Sequence, residues 1–347
     1  MMRSKSKPFK NYRQARPFLK WAGGKSQLLE QFEYYYPQEL KDRKIERYIE
    51  PFIGGGAVFF KVFQEYQIKD AYLYDKNEDL ILIYKVLQKD LSDLCECLEK
   101  FSLKYHKLDN ENREKFFYNS REKLNNSLQK LNFKKYSNDW VVRAAQLIFL
   151  NKTCYNGLFR LNKKGEFNTP FGKYSNPLIF DKENLVNVSE LLQRAEIILG
   201  DFQDCRLKVN DKSFVYFDPP YRPLSKTASF SSYSKYEFND ENQLQLAKFY
   251  KELNNTTNAN LMLSNSDPMN VNPEDDFFEK LYKDLHIHKV SANRMINSKA
   301  DKRGQIKELL ILNYSVSKMQ TIKQMNILDI LNHKAEKREL QKTGAFV

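Results

Sequence analysis

The sequence predicts an α/β protein built on a doubly wound, seven-stranded sheet, interrupted by an inserted, mainly helical domain that carries a β-hairpin. Three observations predict it. Seven short runs rich in aromatic and branched residues recur at 48–52, 71–74, 196–199, 214–217, 261–263, 286–291 and 309–314. Helical stretches such as 57–66 and 241–253 separate most of them, the alternation that a sheet with crossover helices requires. One interval, between Tyr74 and Glu196, is about 120 residues long, too long for a crossover helix and long enough for a second domain.

The chain opens on a basic arm: eight of the first 25 residues are Lys or Arg, and the first acid is Glu30. The first strand runs into Gly54-Gly55-Gly56, which opens a helix near Ala57; the second ends at Asp75, 21 residues after Gly54. Inside the long interval, 80–106 and 140–150 read as helices. Residues 158–162 and 166–168 then read as the arms of a hairpin turning at Lys163-Lys164-Gly165. The last two strands are joined by 292–307, which lacks helical periodicity, so they are expected to form an antiparallel pair at the sheet edge. The expected organisation is an arm (1–16), a core in two pieces (17–78 and 182–317), an insertion (79–181) and a polar tail (318–347).

Composition narrows the function. The 347 residues carry 57 basic and 44 acidic side chains, a net charge of +13. A second basic cluster, Arg294, Lys299, Lys302 and Arg303, lies between the last two strands. This excess points to a polyanionic partner, above all nucleic acid. No run of 18 apolar residues exists, and the basic N-terminus has no apolar segment behind it, so neither a membrane span nor a secretory signal is expected. Four scattered cysteines, Cys95, Cys97, Cys154 and Cys205, read as unpaired intracellular thiols, and no metal site is expected.

The most informative tetrapeptide is Asp218-Pro219-Pro220-Tyr221, directly behind the apolar run 214–217. It presents a carboxylate, then carbonyls with no competing N–H because proline lacks one, then an aromatic face. Together these make a slot for a flat, amino-bearing ring. The glycine turn suits close approach of a ligand, and an acid about 20 residues beyond it suits a ribose diol. The third glycine of GxGxxG is missing, which favours an adenosine ligand without a pyrophosphate. Gly24-Lys25-Ser26 matches the end of a P-loop, but residue 19 is Leu and no strand precedes it, so an NTPase is not expected. No G-x-S-x-G elbow and no Pro-Cys dipeptide occur, arguing against a serine hydrolase and against cysteine attack on a pyrimidine.

In combination, Lys20–Lys25 (KWAGGK), Glu50–Gly56 (EPFIGGG), Tyr155–Arg160 (YNGLFR), Gly165–Tyr174 (GEFNTPFGKY) and Asp218–Phe230 (DPPYRPLSKTASF) strongly resemble the DNA-adenine N6-methyltransferases that modify GATC, of the α group, and most nearly the bacterial restriction–modification members. The resemblance runs from about Pro17 to Tyr314. It implies a Rossmann-like, S-adenosylmethionine-dependent methyltransferase fold with an inserted DNA target-recognition domain. It also implies a cytoplasmic, DNA-associated enzyme acting on double-stranded DNA, expected as a monomer, with a cognate restriction endonuclease in the cell as a candidate partner that need not form a complex with it.

Site residues follow from the resemblance. S-adenosylmethionine would lie over Phe52, Gly54 and Gly56, with Asp75 on its ribose, Trp21 and Lys25 at its methionine end, and Asp201 and Phe202 at its adenine. The target adenine, flipped from the duplex, would enter beside Asp218, a residue bordering the cofactor too, with the Pro219 carbonyl as second acceptor and Tyr221 as stacking face. Lys20 and Arg160 match guanine contacts, Leu158 and Pro170 thymine-methyl contacts, Asn156 a polar base contact, and Tyr155 the side chain inserted into the duplex. Lys173 stands where some members have Arg, which leaves a phosphate contact but no bidentate fork. Asp218 rather than Ser disfavours cytosine N4 as the target, and a groove-reading hairpin disfavours RNA.

Overall fold

The computed structural model describes residues 14–222, 238–293 and 305–316. Residues 1–13 of the basic arm, the serine-rich segment after Arg222, the Arg294–Arg303 cluster and the C-terminal tail lie outside them. The elements are α1 (Leu29–Tyr35), α2 (Gln38–Lys41), β1 (Arg47–Glu50), α3 (Ala57–Glu65), β2 (Asp70–Asp75), α4 (Glu78–Lys89), α5 (Leu91–Lys107), α6 (Asn110–Ser127), α7 (Asn138–Thr153), α8 (Lys182–Leu192), β3 (Ala195–Leu199), β4 (Ser213–Phe217), α9 (Asp240–Thr256), β5 (Asn260–Ser266), α10 (Phe277–Leu281), β6 (His286–Asn293) and β7 (Gln305–Leu312).

The seven strands form one sheet in the order β3-β2-β1-β4-β5-β7-β6. Strands β1 to β5 are parallel, and β7 runs antiparallel to both β5 and β6. Central strand β4, Ser-Phe-Val-Tyr-Phe, is buried at every position, as a parallel strand covered on both faces must be. The chain moves outward one way through β1, β2 and β3, then the other way through β4 and β5. The crevice beyond the carboxyl ends of β1 and β4 is therefore the switch point, where ligands bind in such sheets. The glycine turn follows β1 and Asp218 follows β4, so both border this crevice.

Three expectations change in detail. The single helix expected at 80–106 is two, because Asp90 adopts φ −131° and ψ 46° between α4 and α5. The expected hairpin is reduced to one antiparallel bridge, Leu161 with Phe167. Asn162 N–H donates to the Glu166 carbonyl at 2.9 Å and Asn168 N–H to the Arg160 carbonyl at 3.1 Å. The ladder stops there because the Thr169 hydroxyl takes the Leu158 carbonyl at 2.6 Å. Finally, β5 continues through the polar Ser264-Asn265-Ser266, three residues past the apolar run that predicted it.

A buried ion pair joins helix α7 to the sheet-facing helix α4. Arg143 on α7 donates Nε to Asp79 Oδ1 at 2.6 Å and Nη2 to Oδ2 at 3.0 Å, and its Nη1 reaches the Leu124 carbonyl at 2.9 Å. Both side chains are almost wholly buried, so removing one partner strands the other's charge. Asp79→Leu is expected to cost about 3–5 kcal/mol in urea unfolding, and Asp79→Leu with Arg143→Met to recover most of it. A loss below about 1 kcal/mol for the single variant would contradict this account of the junction.

Candidate active site

Asp218 and Tyr221, two of the residues expected to form a slot, face each other across a lysine ammonium. Lys25, only 3% exposed, places Nζ 2.8 Å from Asp218 Oδ1 and 4.4 Å from the centre of the Tyr221 ring. Its third contact is the Gly23 carbonyl at 2.6 Å. A cation between a carboxylate and an aromatic face reports the chemistry of the space: it accepts N–H donors and favours a flat or cationic group against the ring.

Two further carboxylates stand close by. Tyr221 donates its hydroxyl to Glu308 Oε2 at 2.5 Å. Glu50, at the end of β1, accepts the Tyr48 hydroxyl at 2.7 Å. Burial pushes the Asp218 carboxyl above the usual range while Lys25 pulls it back. Burial likewise raises Glu308 and raises Glu50 well above the carboxylate range. One ammonium thus serves a cluster of three acids, and low dielectric makes each contact there count for more.

The backbone of the tetrapeptide is held as well. The Pro220 carbonyl accepts Gln243 Nε2 at 3.1 Å, whereas no hydrogen bond to the Pro219 carbonyl occurs among the described residues. Among those residues Pro219 is thus an open acceptor beside Asp218. Arg222, next in the chain, is pinned by Asp240 at 2.8 Å and Asp275 at 2.7 Å.

The glycine turn is closely packed by the chain itself. Gly54 has φ +47°, and a Cβ there would sit 2.8 Å from Trp21 Nε1; Gly56 has φ +71°, and a Cβ there would meet the Tyr84 hydroxyl at 2.6 Å. The glycines therefore admit this chain's own Trp21 and Tyr84. Asp75 Oδ2 accepts the Gly54 N–H at 3.1 Å and Oδ1 the Asn77 N–H at 2.9 Å. Burial raises its pKa to about 6 although those amides oppose the shift. Phe52 stacks on Phe202 at 5.6 Å, with Phe238 edge-on to Phe52 at 5.7 Å. Asp201 caps the turn Phe202–Lys208 through Gln203 N–H at 3.0 Å and pairs with Lys76.

The candidate DNA-contacting residues gather on one exposed loop surface. Tyr155 is 57% exposed, an unusual position for a large aromatic, and Leu158 is exposed beside it. Pro170 and Lys173 are exposed too. Asn156 and Lys173 are left-handed, at φ 55° and 56°. Arg160 is held by its neighbour Asn168 through Nε at 2.7 Å and Nη2 at 3.2 Å. Lys20 joins this group: Asn151 brackets its backbone at 2.8 and 2.9 Å, and its Nζ lies 4.7 Å over the Tyr174 ring. Missing from the sequence reading are Glu308, Ser264, Gln243 and Asn168, polar residues whose partners are distant or not obvious along the chain.

Comparison with known proteins places this geometry. Residues 21–296 match the family model described as D12 class N6 adenine-specific DNA methyltransferase. The chain is 53% identical over 302 residues to the type II methyltransferase M.MjaIII of Methanocaldococcus jannaschii, covering 87% of this chain and 100% of that one. It is 37% identical over 307 residues to the type II methyltransferase M1.LlaDCHI of Lactococcus lactis, covering 88% and 98%. It is 33% identical over 298 residues to the DNA adenine methylase of Escherichia coli K12, covering 86% and 95%. The seven-stranded α/β architecture agrees with the methyltransferase fold implied by the sequence, and adenine specificity removes cytosine N4 as the alternative. The chain belongs to the D12 class of N6 adenine-specific DNA methyltransferases.

Proposed function

We propose that this enzyme transfers a methyl group from S-adenosylmethionine to N6 of adenine in duplex GATC after flipping the base into the slot at Asp218. The observation that carries the reading is Lys25: a nitrogen already hydrogen-bonded to Asp218 and stacked on Tyr221 occupies the place proposed for the adenine amine. Entry of the base displaces this ammonium. Asp218 then accepts a hydrogen bond from one N6–H and the Pro219 carbonyl one from the other, which draws the nitrogen toward pyramidal geometry and frees its lone pair for attack; the one proton that methylated N6 must shed passes to solvent. Nothing in this scheme needs a covalent bond to the protein; the chain contributes position and fixed dipoles.

The methyl donor's proposed site is consistent with the residues present. Among the described residues, Asp75 accepts hydrogen bonds from main-chain amides alone, so it retains lone pairs for two ribose hydroxyls. The Phe52–Phe202 pair offers an apolar face beside it, with Asp201 at its rim and Trp21 and Lys25 toward the slot. When bound, S-adenosylmethionine supplies an electrophilic methyl on its sulfonium sulfur.

DNA recognition is assigned to Lys20, Tyr155, Asn156, Leu158, Arg160, Pro170 and Lys173. The exposed Tyr155 ring supports a role in filling the gap left by the flipped base, whose extrusion costs a few kcal/mol. GATC itself is carried by the resemblance of 155–174. Action as a monomer, beside a cognate restriction endonuclease, completes the reading, and two relatives bearing type II methyltransferase names support the latter.

Purified protein, S-adenosylmethionine and a GATC duplex are expected to yield N6-methyladenine, and Asp218→Ala to abolish it while duplex binding stays near wild type. No methylation by the wild type would refute the assignment. Cofactor binding carries a pH signature: Asp75 is ionised above about 6, so cofactor Kd should rise as pH falls through that value. Asp75→Asn should bind more weakly above it and show no such rise; a wild-type Kd flat between about pH 7.5 and about pH 5 would argue against Asp75 as the ribose acceptor. Arg160→Ala should relax discrimination at one base pair by about 1–3 kcal/mol, whereas uniform weakening across sequences would mark a phosphate contact.

A further inference from the structure

The end of β5 carries three consecutive polar residues inside a packed sheet, and each one reaches the segment 218–222. Ser264 is fully buried and donates its hydroxyl to Asp218 Oδ1 at 3.0 Å. Behind it, the Tyr216 hydroxyl shares a 2.8 Å hydrogen bond with Ser264 Oγ. Asn265, also fully buried, donates to Gln243 Oε1 at 3.2 Å, and Gln243 in turn donates to the Pro220 carbonyl at 3.1 Å. Ser266 donates to the Arg222 carbonyl at 3.2 Å.

Packing alone would favour apolar residues at these positions, because a buried hydroxyl or amide costs free energy unless paired. Here the pairing is used on one target. Lys25 and Ser264 both bind Asp218 Oδ1, so Ser264 still holds the carboxylate when the ammonium gives way to an incoming donor. Gln243 takes the Pro220 carbonyl and leaves that of Pro219.

We infer that Ser264, backed by Tyr216, is a positioning residue for methyl transfer, fixing the Asp218 carboxylate while Asn265 and Gln243 fix the Pro219-Pro220 turn. The inference rests on the amine-slot reading above. Ser264 acts through Asp218 and touches no reacting atom. Its hydroxyl also stabilises the ionised carboxylate. Among the described residues, the groups facing Asp218 are Lys25 from the loop before α1, Glu50 from β1, Tyr216 from β4, Tyr221 and Glu308. Loss of the Ser264 donor removes a stabiliser of the charged form, so the acid limb of kcat, where Asp218 gains its proton, moves to higher pH.

The test is steady-state kinetics of the full-length protein with S-adenosylmethionine and a GATC duplex across pH. Ser264→Ala is expected to lower kcat on the order of tenfold with KM for DNA unchanged, and to move the acid limb up by about one pH unit. Ser264→Thr, which keeps the hydroxyl, should restore both. Because Ser264→Ala leaves the Tyr216 hydroxyl buried without its partner, Ser264→Ala with Tyr216→Phe serves as a second variant and should show the same shifted limb. An active wild type whose acid limb stays put in both variants overturns the role of Ser264. An inactive wild type overturns instead the amine-slot reading beneath it.

Discussion

A carboxylate withdrawn from water must be given partners, and much of this site is arranged around giving them to Asp218. Burial raises its pKa, and the opposing contacts come from separate parts of the chain: Lys25 from the loop before α1 and Ser264 from β5. Glu50 from β1 and Glu308 from β7 crowd the same ammonium. Such convergence is possible only at the switch point of the sheet, where the carboxyl ends of β1, β4 and β5 lie side by side. The carboxylate there is held in place, and its lysine keeps the charge compensated.

The same loop that delivers Lys25 also ties Asp218 to the exposed loop surface around Tyr155. Trp21 lies against the glycine turn on one side and 5.1 Å from the Phe159 ring on the other. Lys20, one residue earlier, is bracketed by Asn151, which also donates to the Gly157 carbonyl at 3.0 Å. Gly157 has φ +63°, and a Cβ there would clash with the Lys20 side chain. Six residues, Lys20 to Lys25, therefore touch the hairpin, the glycine turn and the amine slot. A shift of the hairpin has a short mechanical route to the Lys25 ammonium.

Much of this was legible in the sequence because it depended on local pattern. Buried parallel strands announce themselves as apolar runs, and β1 to β4 were read within a few residues. Asp218 and Tyr221 stand out because their neighbours carry chemistry in a short block, whereas Lys25 was expected at the methionine end of the cofactor and its contact with Asp218 was not foreseen. Nor was the end of β5, since Ser264-Asn265-Ser266 looks like a loop until its partners, 46 residues away in the case of Asp218, are known. Glu308 was hidden in the same way, lying one residue before the apolar run that marked β7. The packing of Trp21 and Tyr84 against the glycine turn was hidden too, because a turn that admits a ligand and one that admits a side chain have the same sequence. No pattern announced the break at Asp90, where a non-helical backbone interrupts continuous helical periodicity.

The most direct measurement is a crystal structure of the protein with a GATC duplex and a non-reactive analogue of S-adenosylmethionine. The account predicts an adenine outside the helical stack, with N6 within hydrogen-bonding distance of Asp218 and of the Pro219 carbonyl. It predicts the ring lying on Tyr221 and Lys25 Nζ displaced from Asp218. An adenine still stacked in a fully bound duplex, with Lys25 remaining on Asp218 and the analogue in place, would contradict it.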